Sequence, residues 1–196
     1  MEFSEAVRRR RMVRSYTHEP VDGEVVQRIV TTARRAPSAG FSQGQRFVVV
    51  TEPATRRAIA DLADEPRYVA QGFAPWISVA PVHVVVCTAE DAYHRRYREP
   101  DKLQDDGTEI DWPIPYWHTD AGASIMLLLL AAVDEGLGAG FLGVHRLQGM
   151  RDLLGIPAEV SPIGIVTIGH PAPEQPMGSA ARGWQDLDDV VHWERW

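Results

Sequence analysis

The stretch from Ala121 to about Glu135 constrains this chain more than any other. Ile125 through Val133 is unbroken apolar sequence, preceded by small residues. A helix that is apolar nearly all round cannot rest on a solvated surface. It is therefore predicted to run through the centre of the molecule or along a subunit interface. Asp120 precedes it and reads as its N-cap, while Gly136 and Gly138 read as its stop. The greasy run falls far short of the ~20 residues that span a bilayer, and Met1–Arg14 lacks the apolar centre of a signal peptide. These features predict a soluble, cytoplasmic protein with no membrane partner.

The rest of the sequence supplies elements to pack around that helix. Arg46–Thr51, Pro81–Thr88, Phe141–Val144 and Ile163–Ile168 read as strands, and their nearly continuous apolar character predicts burial on both faces. Helices are expected from Glu5 to about Arg11 behind Ser4, behind Asp22 with Val25, Val26, Ile29, Val30 and Ala33 at helical spacing, at Ala54–Leu62 and at Leu147–Leu154. Ala36-Pro37 closes the second of these. The tail from Pro171 to Pro176 reads as irregular, with Val190, Val191, Trp193 and Trp196 as later anchors. Strands and helices mix without strict alternation, which predicts an α+β fold. With no linker or repeat, residues 1–196 read as a single domain.

Residues 98–118 form a long polar segment carrying Pro100, Pro113 and Pro115. It reads either as a surface insertion or as a lid; Trp112, Tyr116 and Trp117 tilt the reading to a lid, because they are costly to leave in water.

Signals of chemistry are few. Arg8–Arg11 and Arg14 form a basic cluster in an otherwise acidic chain. Three readings stay open: a solvated helix face, a nucleic-acid patch, and a phosphate clamp built on the planar guanidinium fork. On a helix no more than two of Arg8–Arg11 could face one ligand, and Arg14 could share their face. The net charge of -7 speaks against nucleic acid. Gly138-Ala139-Gly140-Phe141-Leu142-Gly143 spells the dinucleotide fingerprint, but a helix precedes it and strand-like residues follow, the reverse of the required order. Cys87 stands alone in an apolar run and reads as a small buried hydrophobe. The seven histidines lack metal spacing, and no G-x-S-x-G is present. An enzyme without an obvious acid, base or nucleophile points to a cofactor that carries the reaction.

Several of these segments, taken in order, resemble the nitroreductase family of FMN enzymes. Arg10-Arg11-Met12-Val13-Arg14-Ser15-Tyr16 resembles its R-R-S-x-R-x-F opening, and Ala36-Pro37-Ser38-Ala39-Gly40-Phe41-Ser42-Gln43 its A-P-S-x-x-N-x-Q loop. Gly136 through Gly143 is similar to its G-L-G-x-x-W-x-G stretch. Gly155-Ile156-Pro157, the strand ending at Gly169 and Val190-Val191-His192-Trp193 follow in the expected order. The resemblance implies an intertwined α+β homodimer, with a mixed central sheet and FMN at the subunit interface. It implies that Arg10 and Arg182 grip the phosphate, that Arg11 lies near the ribityl or phosphate end, with Met12 in the same segment, and that Arg14 sits at the N1–O2 edge of the flavin. Pro37, Ser38, Ala39, Phe41 and Gln43 would come from the partner subunit, and Leu142 and Gly143 would face the N5 side. Phe41, Trp112, Tyr116 and Trp117 would shape the acceptor pocket. The implied activity is ping-pong transfer of hydride from NADH or NADPH to a nitroaromatic, quinone or similar acceptor. A specialised dehydrogenase, a deiodinase-like enzyme, a flavin-fragmenting benzimidazole synthase and a non-catalytic flavin store are the alternatives on the same fold. Met12 stands where serine is usual, Phe41 where asparagine is common, Gly44-Gln45 where Pro-Trp is frequent, and Ala180 where some relatives carry lysine.

Overall fold

The computed structural model describes residues 1–143, 147–173 and 182–196. Val144, Glu174–Pro176 and Ala180 of the expectations above lie outside them.

Four strands form the sheet: β1 Gln45–Val50, β2 Val82–Thr88, β3 Gly138–Gly143 and β4 Ser161–Gly169. Their order is β1-β2-β4-β3, and every ladder is antiparallel. Among the described residues, parallel pairing enters only at the rim, where Met12 bridges Ala139.

β2 is buried throughout, and its alternation explains why. Val82, Val84 and Val86 join a core under helices α2 (Gly23–Ala33) and α6 (Tyr116–Asp134). Val85 and Cys87 point to the other face, toward Ile59 of α3 (Pro53–Leu62) and Met150 of α7 (Leu147–Leu154). Burial pushes the Cys87 thiol up to about 11, which keeps it protonated and inert. α6 packs against α2 and against all four strands, so its apolar composition is that of a core helix.

Two helix boundaries differ from expectation. The first helix, α1, spans Phe3–Arg9, with Glu2 rather than Ser4 at its N-cap, and Arg10 leaves it in extended geometry (φ -61°, ψ 123°). α6 begins at Tyr116, with Pro115 at its N-cap, so Asp120 is inside the helix and does not cap it. Pro115 has no amide hydrogen to leave unpaired, and Asp120 is engaged elsewhere. Asp22 does cap α2, accepting from Glu24 N at 2.8 Å. Short helices α4 (Glu65–Ala70), α5 (Asp91–Tyr97) and α8 (Leu187–Val190) were not evident from apolar periodicity.

His83 on β2 is fully buried, and its Nε2–H donates to the Ile77 carbonyl at 2.7 Å, while Nδ1 has no partner among the described residues. Burial lowers its pKa to about 4, opposed by the Ile77 hydrogen bond and assisted by Arg56. The unfolded chain therefore binds a proton that the native state refuses between pH ~6.5 and ~4. Stability from this group is present above pH ~6.5 and is lost as pH falls toward 4, by about 3 kcal/mol in all. Urea midpoints at pH 7.5, 5.5 and 4 should fall accordingly, and His83→Gln should flatten that slope; parallel slopes would exclude His83 as the cause.

Candidate functional site

After α1 the chain runs extended beside β3. Val13 N donates to Ala139 O at 2.9 Å. Tyr16 then locks the segment to β4: its hydroxyl donates to Val13 O at 2.9 Å and pairs with Thr167 Oγ1 at 2.8 Å. Extended chain alternates sides, so Arg10 and Arg14 share the side of Met12, and Arg11 that of Val13. This corrects the helical geometry expected for Arg10 and Arg11, while Arg8 and Arg9 remain within α1. Arg11 and Val13, with Arg9, line a cleft of about 260 Å³ closed by Gly136–Ala139 and Pro171. Arg14 is placed elsewhere, its guanidinium carbon 5.7 Å from the centre of the Trp76 ring. Gly140 permits this close layering, since a Cβ there would lie 2.4 Å from Val13 O and 3.2 Å from the Trp76 ring. At the far end of β3, Leu142 is half-buried and Gly143 exposed; a Cβ on Gly143 would meet nothing within 4 Å.

The second group of candidate residues surrounds the turn between α2 and β1. Gly40, Phe41 and Gln43 all have positive φ (59°, 59° and 50°). Two of the three are not glycine, which carries a backbone cost of order 1 kcal/mol each that surrounding contacts must offset. Those contacts go mainly to main-chain atoms. Asp120 Oδ2 accepts from Ala39 N at 2.9 Å and from the Tyr93 hydroxyl at 2.8 Å. Arg96 Nε donates to Gly40 O at 2.9 Å, and Ser38 Oγ accepts from Gln43 N at 2.9 Å. Tyr97 lies beneath Gly40. The result presents Phe41 outward, 75% exposed. Burial first, then the hydrogen bond to Asp120, pushes the Tyr93 phenol above its ordinary range, so it remains a donor.

The aromatic residues of 98–118 belong to this second group. Trp112 packs edge-on against Tyr97, with ring centres 4.6 Å apart, and also meets Tyr93, His94, Tyr116 and Trp117. Trp117 is buried, Trp112 half-buried, and Tyr116 faces outward. Most of this aromatic surface is thus committed to holding the segment on α5.

The structure brings Arg10, Met12, Arg14, Leu142 and Gly143 to the β3 side. It brings Pro37, Ser38, Ala39, Phe41 and Gln43, with Trp112, Tyr116 and Trp117, to the β1 side. Within one chain these groups are on opposite edges of the sheet, three strand spacings or about 14 Å apart. Arg182 is exposed. Sequence reasoning missed Asp120 as a clamp and missed Arg96, Glu65 and Trp76 altogether. A carboxylate within an apolar helix was the available signal for Asp120.

Known proteins agree with this architecture. The profile of the Nitroreductase family matches residues 7–170. A putative NADH dehydrogenase/NAD(P)H nitroreductase of Methanothermobacter thermautotrophicus is 30% identical over 203 residues, which cover 100% of this chain and 88% of that protein. A Bacillus subtilis protein named as an NAD(P)H-linked FMN reductase is 31% identical, covering 83% of this chain and 63% of its own length. The crystal structure of a nitroreductase family protein from Streptococcus pneumoniae superposes with a TM-score of 0.77 at 22% identity, over 97% of this chain and 99% of that one.

Proposed function

Because this chain belongs to the nitroreductase family, we propose that it is an FMN-dependent oxidoreductase, drawing on NADH or NADPH and acting as a homodimer. FMN, when bound, supplies a ring that takes hydride from the nicotinamide and passes it to an electron-poor acceptor such as a nitroaromatic or quinone.

The donor set present fits that cofactor. Arg10 offers a guanidinium fork to a phosphate, joined by Arg182 and, from its own side of the strand, Arg11. Arg14 presents a fixed cation, which stabilises negative charge developing at the pyrimidine edge. The open space over Gly143 admits a flat ring against the backbone, and Leu142 borders it. The partner's turn would close over the ring: Pro37, Ser38, Ala39 and Gln43 exclude water, and Phe41 sets what can enter.

The observation that carries this reading is the separation of the two residue groups. Halves on opposite edges of one sheet make a single site only when a second copy brings its β1 edge to the first copy's β3 edge. The C-terminal arm supports this. Trp184, Trp193 and Trp196 are 93%, 83% and 99% exposed in one copy, a large apolar area that a partner would cover.

Purified protein should be a yellow dimer by sedimentation, and its colour should bleach on adding NADH or NADPH without air. Arg14→Ala should weaken FMN binding tenfold or more, the size of a lost charge-assisted contact of about 1.5–3 kcal/mol. A colourless monomer that takes up no FMN would remove the proposal.

A further inference from the structure

Trp76 belongs to neither residue group expected from sequence, yet it is built into the β3 side of the site with unusual care. Its loop, between α4 and β2, is fastened by one carboxylate. Glu65 is only 6% exposed and accepts from Trp76 N at 2.7 Å, Ile77 N at 2.6 Å and Ser78 N at 3.2 Å. Three converging amides hold a carboxylate in a concave nest, and bonds to a charged acceptor are the strong kind. Among the described residues this buried carboxylate serves backbone amides, which makes it a structural anchor for the loop that carries the indole. The ring approaches β3 at Gly140, where a Cβ would lie 3.2 Å from it, and the Arg14 guanidinium carbon lies 5.7 Å from its centre. The indole thus sits between the backbone of β3 and its own anchored loop, within reach of the cation.

We infer that Trp76 is a positioning residue for Arg14: the indole face fixes the guanidinium against the site, and Glu65 fixes the indole. This inference rests on the FMN reading above and deepens it. An arginine side chain has considerable rotamer freedom, and a cation that wanders stabilises developing charge less than one already in place. A cation over an indole face is attracted by the ring quadrupole, more strongly as water is excluded, which favours one rotamer over the others. The reduction potential of the bound flavin, and not merely the stability of the fold, should therefore depend on residue 76.

The test is a double-mutant cycle read by flavin potential. Trp76→Leu in the otherwise native protein should shift the oxidised-to-reduced equilibrium of bound FMN toward the oxidised form about tenfold, about 30 mV for a two-electron couple. Trp76→Phe, which keeps a ring face, should recover most of that shift. In an Arg14→Ala background Trp76→Leu should add nothing. Equal shifts in both backgrounds, or none in either, would overturn the inference while leaving the FMN reading intact. A native protein that binds no FMN would overturn both.

A cofactor-free reading guards against poorly folded variants. In the flavin-free protein the Arg14 Nε–H resonance, assigned by its loss in Arg14→Ala, should be displaced upfield by the indole ring current. Trp76→Phe should reduce that displacement, and Glu65→Gln should reduce it by loosening the loop. An Arg14 resonance at the same position in native and Trp76→Phe protein would show that the two side chains are not coupled.

Discussion

Gly140→Ala is expected to lower the melting temperature by about 10 °C and to abolish FMN binding. The added methyl would lie 2.4 Å from Val13 O, a backbone atom, so no side-chain rotation can relieve the clash. Either β3 or the segment beside it must move. Overpacking of this kind costs about 1–3 kcal/mol, and loss of the Val13–Ala139 hydrogen bond adds about 1 kcal/mol. For a chain of this size each kcal/mol corresponds to about 2–4 °C. Displacing the segment also moves Arg10 and Arg14 together, which is why binding should fail along with stability. Gly143→Ala on the same strand is the control for stability, since its methyl meets nothing within 4 Å. Thermal melting of the two variants and FMN titration of Gly140→Ala check the expectation. Similar melting temperatures for both would mean that the N-terminal segment is not held as described.

Asp120→Ala should be nearly as damaging, for a different reason. The variant strands two donors, Ala39 N–H and the Tyr93 hydroxyl, in a site that water does not reach freely. Each unpaired buried donor costs about 1–3 kcal/mol, so a loss of about 3 kcal/mol is expected. Its second effect is on shape. Gly40, Phe41 and Gln43 keep their positive φ angles only while their neighbours are restrained, so the turn should relax and become the first point of proteolytic cleavage. Asp120→Asn keeps one acceptor oxygen and should fall between. Urea unfolding and limited proteolysis of the three proteins check this. An Asp120→Ala protein cut at the same sites and rates as the native one would show that the clamp is idle.

What could be read from sequence was whatever depends on neighbours along the chain. The four strands, the α2 cap at Asp22 and the central helix come from local apolar pattern, and the structure has all of them. The ordered motifs were enough to indicate the family. What could not be read depends on partners far away in sequence. Asp120 before an apolar run looks like any helix cap, and only the presence of Ala39 and Tyr93, distant in the chain, shows that its carboxylate faces inward. The arginine run has good helix formers, yet pairing with Ala139 pulls Arg10 onward into extended chain, and a period near four becomes a period of two. Glu65 and Trp76 carry no periodic signal. Their relation consists of backbone amides turned toward one carboxylate, which sequence does not encode in any readable spacing. In the 98–118 segment the cost of the tryptophans in water is met largely by packing on α5, a partner that no local spacing announces.

The way Phe41 is mounted has an evolutionary consequence. Its turn is secured almost wholly through main-chain atoms of residues on either side, while its own side chain contributes little to holding the turn. Asparagine tolerates this left-handed backbone better than phenylalanine does, so the aromatic ring here has been accepted against local preference. Such a position can mutate without endangering the scaffold beneath it. If Phe41 lines the acceptor pocket as proposed, a single codon would then redirect what the enzyme accepts, and selection could explore new chemistry while the protein continues to fold.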